Sequence, residues 1–292
     1  MSLVLALFSS VLWGGADFLG GTLTRRRAVL HVVGASQAVG LLTVVLLALT
    51  AGSFGEQGDY LPYAVGAGLA GAVGLLAFYA ALAAGSMGVV SPIAALGVVV
   101  PVGVGLARGE APSPVVLAGI AVAVLGVVLA SGPELRGRAG AKPLLLAGVA
   151  ALGFGLALLL IAEGARTSPL MTMVGLRAAS VGAVVTVLLV AALRRQLARP
   201  VGAGEAEPPP APPWRRAEVA LLVVIGVADV MANVVFALAT RGAYVSVVSV
   251  LGSLYPVVTV LLAMGVHGER LARVQTIGIA TALGGVLLIA GG

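Results

Sequence analysis

Three charged side chains lie inside long apolar stretches of the sequence. Asp17 follows Trp13 by one helical turn within the segment LWGGADFLGG. Asp229 precedes Asn233 by one turn, and Arg177 lies in a third apolar stretch. On insertion scales a charged residue at the centre of such a stretch costs roughly 2.5–3.5 kcal/mol, so it generally faces a partner or a water-filled cavity. These five residues are therefore the first candidates for chemistry.

The surroundings of Asp17 suit an ammonium group. Ser10, Trp13 and Asp17 occur at i, i+3 and i+7, a spacing that places them on one face of a helix. The carboxylate would pair with a positive charge, and the indole ring would add a cation–π contact. The alternative is that Asp17 bonds to the backbone or to a Ser or Thr of a neighbouring helix and fixes the packing.

Asp229 and Arg177 each allow two interpretations. A carboxylate in an apolar environment takes up a proton more readily than one in water, so Asp229 and Asp17 are candidates for proton coupling. Arg177 either holds a carboxylate group of a substrate or neutralises Asp229 or Asp17. Two aspartates could also imitate an aspartyl enzyme, but neither lies in a recognisable catalytic motif, and we expect no enzymatic activity.

The composition identifies the class of protein that positions these residues. Of the 292 residues, 60% are hydrophobic and 10% are charged, against about 45–50% and about 25% in soluble domains. Because backbone groups in lipid must bond internally, apolar runs of about 20 residues predict membrane-spanning helices. The sequence therefore predicts an all-α integral membrane protein with ten spans: 3–22, 29–50, 61–83, 88–107, 114–131, 142–163, 169–192, 217–238, 244–265 and 272–291.

The loop charges predict an orientation. One set of alternate loops carries only Arg108, Arg166 and Arg241. The other set carries the remaining Lys and Arg residues: Arg25, Arg26, Arg27, Arg136, Arg138, Lys142, Arg194, Arg195, Arg199, Arg215, Arg216, Arg270 and Arg273. By the positive-inside rule the second set is cytoplasmic, so both termini face outward. We expect a multi-pass protein of a prokaryotic plasma membrane, with an uncleaved first span and an extended Pro/Ala-rich loop at 193–216.

Several functional classes are disfavoured. The chain has no Cys, and His31 and His267 are far apart in sequence, so we expect neither a metal site nor thiol chemistry. The basic residues are confined to short loops, which argues against nucleic acid as a partner. No phosphate-cradling Gly-rich loop with a Lys is visible, so ATP is not expected as driver or cofactor.

The sequence repeats internally. At an offset of 141 residues WGG matches FGL and VVGASQA matches MVGLRAA, which pairs Gly14 with Gly155 and Gly34 with Gly175. A later segment matches at an offset of 159 residues and pairs Glu110, Gly119, Gly126 and Gly132 with Glu269, Gly278, Gly285 and Gly291. The predicted units are 1–135 and 136–292. Five spans per unit make the second unit an inverted copy of the first, a construction typical of alternating-access transporters.

These features resemble a known family. ALAAGSMGVVSPIAALGVVVPV and ALATRGAYVSVVSVLGSLYPVV lead into the fourth and ninth spans, and each is followed by GE and a Gly-spaced last span. In this the sequence resembles EamA domains of the drug/metabolite transporter superfamily, most sharply in the GER element at 268–270; the first half has GEA instead. The resemblance covers nearly the whole chain and implies ten helices around a central cavity. It implies transport of a small molecule, although one fold serves many substrates, and members are usually drawn with both termini in the cytoplasm.

The duplication extends the candidate site. Arg177 matches Ser36, which lies beside Gln37, so the second and seventh spans place polar groups at one depth. Three tyrosines near span ends either line a pocket or anchor the chain at the membrane surface: Tyr79, Tyr244 and Tyr255. The predicted substrate-binding set is Trp13, Asp17, Ser36, Gln37, Tyr79, Arg177, Asp229 and Asn233.

Other residues are expected to be mainly structural. Glu163 and Arg166 predict an interfacial pair at i, i+3 spacing, and Glu110 and Glu269 are expected to cap or anchor helix ends. Trp214 is expected to lie in the interfacial aromatic belt. Candidate kinks, which serve either flexing or packing, fall at Ser91, Pro92 and Pro256.

The charges of the site indicate a substrate class. Asp17, Asp229 and Arg177 together carry minus one, which suits a zwitterion or a monocation and argues against a sugar phosphate. The expected function is secondary active or facilitative transport of an amine-bearing metabolite, with amino-acid export as the first interpretation. The alternatives are export of cationic drugs or quaternary amines, and a noncatalytic scaffold or flippase-like protein. The protein could be a monomer or a homodimer.

Overall fold

The computed structural model of the chain describes residues 1–24, 26–56, 58–84, 93–94, 96–130, 141–197, 213–267 and 272–292. Within these ranges the regular structure is helical, and no strand is present. Short 3-10 helices cover Ser53–Gly55, Gly58–Tyr60 and Leu96–Val98. The α-helices are α1 (Ser2–Thr24), α2 (Val29–Thr50), α3 (Leu61–Ala84), α4 (Val99–Ala107), α5 (Pro114–Ala130), α6 (Ala141–Ala165), α7 (Pro169–Leu197), α8 (Arg216–Thr240), α9 (Val245–Gly252), α10 (Tyr255–His267) and α11 (Arg273–Gly291).

Eight helical segments of the described chain are long and apolar enough to cross a membrane. They lie at the first, second, third, sixth, seventh, eighth, ninth and tenth predicted spans, so a multi-pass membrane protein is confirmed. Two shorter apolar helical segments, Leu96–Ala107 and Pro114–Ala130, lie at the fourth and fifth. The fourth predicted span, 88–107, is described only in part, so the number of ten spans stays a prediction.

The predicted loop at 193–216 begins too early. Helix α7 continues to Leu197, because residues 193–197, LRRQL, are strong helix formers. Helix α8 starts at Arg216. Residues 198–212 of the predicted loop lie outside the described residues, as do the candidate kink at Ser91 and Pro92 and the candidate cap at Glu269.

Two helices start with a serine N-cap that is followed by a proline at the first helical position. The Oγ of Ser113 accepts a hydrogen bond from the N–H of Val116 at 3.2 Å, and Pro114 opens α5. Ser168 accepts from the N–H of Met171 at 3.2 Å in the same way, and Pro169 opens α7. Proline is suited to the first helical position because its missing N–H would have no intrahelical partner there.

The ninth predicted span is broken into two helices. Helix α9 ends at Gly252 and α10 begins at Tyr255. Pro256 has no N–H to donate to the carbonyl one turn earlier, so the helical ladder is interrupted at the kink that the sequence predicts. All eight residues of α9 are buried, whereas α10 is partly exposed.

The helices pair in a pattern that relates the two halves. Helix α1 packs along α8, and α3 packs along α6. In the internal repeat, α6 is the counterpart of α1, and α8 is the counterpart of α3. The pair α3–α6 is therefore the counterpart of the pair α1–α8. Helix α2 contacts α7, its own counterpart, and α5 contacts α11.

The contact between α5 and α11 is made by small residues at matched positions. A Cβ atom added to Gly126 would overlap the backbone nitrogen of Ala282. A Cβ added to Gly285 would overlap the backbone nitrogen of Ala123. At the offset of 159 residues Gly126 corresponds to Gly285, and Ala123 corresponds to Ala282, so the two contacts are counterparts. The two helices run antiparallel, because a higher residue number on α5 faces a lower one on α11. Small residues allow such close backbone approach in membrane helices.

The outer turns of this crossing follow the same rule. Gly119 lies against Ile289, where an added Cβ would come 2.9 Å from the backbone nitrogen. Gly278 lies against Ala130, whose backbone nitrogen an added Cβ would overlap. At the offset of 159 residues Gly119 corresponds to Gly278, and Ala130 corresponds to Ile289. The two contacts are therefore counterparts, but the residue that faces the glycine is larger in one of them.

One end of the bundle is closed by polar contacts between the halves. The carboxylate of Glu110 accepts hydrogen bonds from the N–H groups of Val245 at 2.7 Å and Ser246 at 3.1 Å, and thereby caps the first turn of α9. Arg108 pairs with Glu163 at the same end. The expected capping role of Glu110 is thus confirmed.

Two further carboxylates anchor loops at this closed end. Glu163 lies 3.5 Å from the Nε of Arg166, which confirms the predicted i, i+3 pair. The hydroxyls of Ser168 and Ser53 hydrogen-bond Glu56 and lower its pKa. These contacts tie the loop between α2 and α3 to the turn between α6 and α7.

Candidate functional site

A cavity of about 280 Å³ opens in the middle of the bundle. Along α1 it extends from Trp13, near the centre of the helix, to Thr24, the last residue. On the other side of Trp13 the inward face of α1 is packed, because Ala6, Ser9 and Ser10 are buried. The cavity therefore reaches the end of the bundle at which α1 finishes, opposite the end that Glu110 closes.

An ion pair joins α7 to α8 in the cavity wall. The guanidinium of Arg177 lies 2.5 Å from Oδ2 of Asp229 and also donates to the amide oxygen of Gln37 on α2. Arg177 is only 3% exposed, while the side chain of Asp229 is 31% exposed. The Nε of Arg177 has no hydrogen-bond partner among the described residues, so one buried donor remains unused.

Asn233 orients the carboxylate of Asp229. Its Nδ2 donates to the backbone oxygen of Asp229 at 2.6 Å and approaches Oδ1 at 3.3 Å. Asn233 is itself buried, one turn further along α8. Because both carboxylate oxygens of Asp229 have a partner, the group is held in a fixed position on the cavity wall.

Asp17 differs from Asp229 in having no such partner. It lines the cavity from α1, and its side chain is exposed to that space. Within the described part of the chain its carboxylate makes no hydrogen bond and no ion pair. It faces Asp229 closely enough for the two charges to repel each other. The predicted alternative, a structural hydrogen bond from Asp17 to a neighbouring helix, is absent from these residues.

Aromatic rings border the inner end of the cavity. The rings of Trp13 and Phe236 are 5.5 Å apart between centroids, with a tilt of 48°. Phe154 and Phe78 form a second tilted pair at 6.0 Å. Phe154 matches Trp13 in the repeat, and both line the cavity. Tilted pairs of this kind are favourable arrangements for aromatic side chains.

The wall formed by α3 and α6 has no charged group among its described lining residues. Leu158 occupies the position that matches Asp17, and it faces the same cavity. Ala157 and Ile161 continue this apolar surface on α6, and Gly71 and Leu75 continue it on α3. The cavity thus has one charged wall and one apolar wall.

The structure brings together seven of the eight predicted site residues. Those that line the cavity are Trp13, Asp17, Ser36, Gln37, Arg177, Asp229 and Asn233. The side chain of Tyr79 lies outside the described residues. Arg177 and Ser36 both face the cavity, from α7 and α2.

Several lining residues were not singled out by the sequence. Phe154 could have been found, because it is the repeat counterpart of Trp13. Ser180 lies one turn from Arg177, and its hydroxyl donates to the Arg177 carbonyl at 3.1 Å. Ser253 also lines the cavity, at the break between α9 and α10. Beside it lies Tyr255, which the sequence predicted either to line a pocket or to anchor the chain at the membrane surface. No pattern in the sequence placed that break beside Asp17.

The described residues show no candidate metal site. They contain no group of three or more His, Asp or Glu side chains close together. Asp17 and Asp229 are the only acidic residues among those that line the cavity, and Asp229 is paired with Arg177. The arrangement can bind charge and hydrogen-bond donors, and it can hold a proton on a carboxylate.

Comparisons with known proteins agree with this architecture. No curated protein matches the chain. A solved crystal structure of a protein has a TM-score of 0.72 with this chain at 18% sequence identity, and the match covers 98% of this chain and 95% of the other. At that identity the likeness shows the fold alone. The sequence pattern described as the EamA-like transporter family matches residues 141–291. The chain therefore belongs to the EamA-like transporter family, and it is a membrane transporter of the drug/metabolite type with a small molecule as its substrate.

Proposed function

We propose that the protein carries a small amine-bearing metabolite, with an amino acid as the first choice, across the membrane by alternating access. The single observation that carries the proposal is the unpaired carboxylate of Asp17, which faces the cavity close to the Arg177–Asp229 pair. A substrate ammonium would occupy the space in front of Asp17 and relieve its repulsion from Asp229.

The charge of the cavity supports a zwitterion or a monocation. The charged residues among its described lining are Asp17, Asp229 and Arg177, two negative and one positive. The other polar lining groups are neutral hydroxyls and amides. A substrate with an ammonium group neutralises the net charge of minus one, whereas a dianion would increase the repulsion.

Arg177 supplies a second contact that favours an amino acid over a simple cation. Its Nε is buried without a partner in the described structure. A substrate carboxylate close to Arg177 could accept from that donor, and guanidinium groups bind carboxylates strongly through charge-assisted hydrogen bonds. Ammonium at Asp17 and carboxylate at Arg177 would orient the substrate across the cavity.

Alternating access is supported by the matched contacts of the two halves. The crossing of α5 and α11 is made by residue pairs that the repeat exchanges, as expected for inverted repeats. Glu110 links the two halves at one end of the bundle, and the central cavity extends toward the other end. We propose that the second state of transport reverses this arrangement.

The orientation and the energy source are part of the proposal. The hollow end lies beside Arg26, Arg27 and Arg216, which the positive-inside rule places in the cytoplasm. The cavity would therefore load from the cytoplasm, as an exporter requires. Asp17 and Asp229 are the groups that could exchange a proton for the substrate.

The first test is thermal stability of the purified protein in detergent with candidate substrates. A ligand that binds only the folded state raises the melting temperature by mass action. We expect stabilisation by amino acids and its loss in Asp17→Asn. Asp59→Asn, a loop aspartate exposed to solvent, should retain it. Stabilisation by sugar phosphates alone would refute the substrate class.

Export of quaternary amines or cationic drugs is the second candidate. It is favoured by Trp13, whose ring lies in the cavity wall on the face of α1 that carries Asp17. Arg177→Gln separates the two candidates. The variant should bind amino acids at least tenfold more weakly, because their carboxylate loses its donor, while a monocation binds as before or more tightly. Retained amino-acid affinity in Arg177→Gln would favour the second candidate.

A further inference from the structure

A basic recess lies beside the open end of the central cavity, between the end of α1 and the start of α8. It has a volume of about 780 Å³. Its ionisable lining residues are Arg26, Arg27, Arg215 and Glu218, three positive and one negative. The net charge of these groups is therefore plus two, and the transport cavity uses none of them.

Glu218 holds one of the three arginines in place. Its Oε2 accepts from Arg27 at 2.7 Å, and its Oε1 accepts from the Arg27 Nε at 3.1 Å. The backbone oxygen of Pro213 accepts from the same guanidinium at 2.8 Å. The hydrogen bond with Glu218 raises the pKa of Arg27, which therefore stays charged. The guanidinium is 4.7 Å from the ring centroid of Trp214.

The side chains of the other two arginines are not held by a carboxylate among the described residues. Arg26 and Arg215 are exposed, and within the described residues neither side chain is in a salt bridge. Both border the recess that the Arg27–Glu218 pair supports. An anion that enters the recess would therefore meet two available guanidinium groups, which bind phosphate oxygens well.

The position of the recess indicates which anion it takes. It lies where two membrane-crossing helices reach the surface, and its apolar lining includes Leu23 and Leu221. Trp214 is 38% exposed at its rim, as expected for an interfacial tryptophan. Basic pockets between helices at this level suit lipid head groups. We propose that this recess binds the phosphate group of an anionic phospholipid.

The test uses the two tryptophans of the chain, Trp13 and Trp214. In a Trp13→Phe background, Trp214 is the single indole, and its fluorescence is quenched by brominated lipid nearby. In mixed vesicles, brominated phosphatidylglycerol should quench Trp214 at least threefold more effectively than brominated phosphatidylcholine. Equal quenching by the two lipids would overturn the proposal.

Two pairs of arginine variants test whether the preference for phosphatidylglycerol arises at the recess. Arg26→Ala with Arg215→Ala should remove the preference for phosphatidylglycerol. Arg194→Ala with Arg273→Ala removes the same charge from the same predicted membrane side and should retain the preference; both residues are exposed. Loss in both pairs would mean a diffuse surface effect and would refute a defined site. Monodisperse elution of every variant checks that it is folded.

A last arm separates lipid from free anion. Inorganic phosphate, added at an ionic strength matched with sodium chloride, should leave the lipid preference unchanged. If phosphate abolishes the preference while sodium chloride does not, the recess binds a free phosphate and the lipid assignment is wrong. None of these measurements depends on the transported substrate, so the outcome is independent of the proposed function.

Discussion

The wall of the cavity formed by α1 and α8 and the wall formed by α3 and α6 each consist of two packed helices with a tilted aromatic pair, but they differ in chemistry. The offset of 141 residues relates Trp13 to Phe154, and each of these rings packs against a phenylalanine of its partner helix, Phe236 or Phe78. Yet Asp17 stands on one wall where Leu158 stands on the other. We infer that the arrangement shared by the two helix pairs provides the cavity, while a few residues that differ between matched positions provide its chemistry.

The largest effect is expected from moving the charge between the walls. The double variant Asp17→Leu with Leu158→Asp keeps the net charge of the cavity but removes the carboxylate from the wall beside Arg177. We expect uptake of substrate into proteoliposomes to fall at least 100-fold. Leu158→Ala alone, which leaves Asp17 in place, should reduce uptake less than threefold. Near-normal uptake by the double variant would show that any charge in the cavity suffices.

A smaller effect is expected from variants that test whether the two matched contacts between α5 and α11 are packed equally tightly. Gly126→Ala and Gly285→Ala each place a Cβ against the facing helix backbone, and such overpacking destabilises typically by about 1–3 kcal/mol. Because the contacts are exchanged by the repeat, the two variants should lower the melting temperature by the same amount. Gly148→Ala, where nothing lies near the added atom, is the control. Clearly unequal shifts would contradict the matched packing.

The smallest effect is expected from making the aromatic residues of the two walls alike. Trp13→Phe gives α1 the residue that α6 has at Phe154. Because phenylalanine is a weaker cation–π partner than tryptophan, affinity for a quaternary amine should fall about threefold by calorimetry. Phe154→Leu, on the apolar wall, should leave that affinity unchanged. An unaltered affinity in Trp13→Phe would exclude the indole as part of the cation site.

Much of this arrangement could be predicted from the sequence because the signals were local. Apolar length identified eight membrane-crossing segments, and the cost of buried charge identified Asp17, Arg177 and Asp229. Helical periodicity placed Asn233 beside Asp229, which the hydrogen bond between them bears out. The membership of the transporter family also agrees with the resemblance carried by the repeated motifs.

The rest depended on how the helices meet. The sequence left open whether Arg177 pairs with Asp229 or Asp17, because both carboxylates are far from it along the chain. The structure brings Asp229 to 2.5 Å and leaves Asp17 without an ion pair in the described residues. Tyr255 was ambiguous for the same reason, since its position follows from the helix break beside the cavity. The end of α7 was misjudged because its last residues are both polar and strongly helix-forming.

The crossing of α5 and α11 has the character of an isologous interface, the kind that two copies of one chain form about a twofold axis. Between separate copies every substitution would act twice, once on each side. Within one polypeptide each side can change alone, as shown by Gly119 against Ile289 where the counterpart is Gly278 against Ala130. The same freedom allows one wall of a symmetric cavity to acquire an acid while the other remains hydrocarbon.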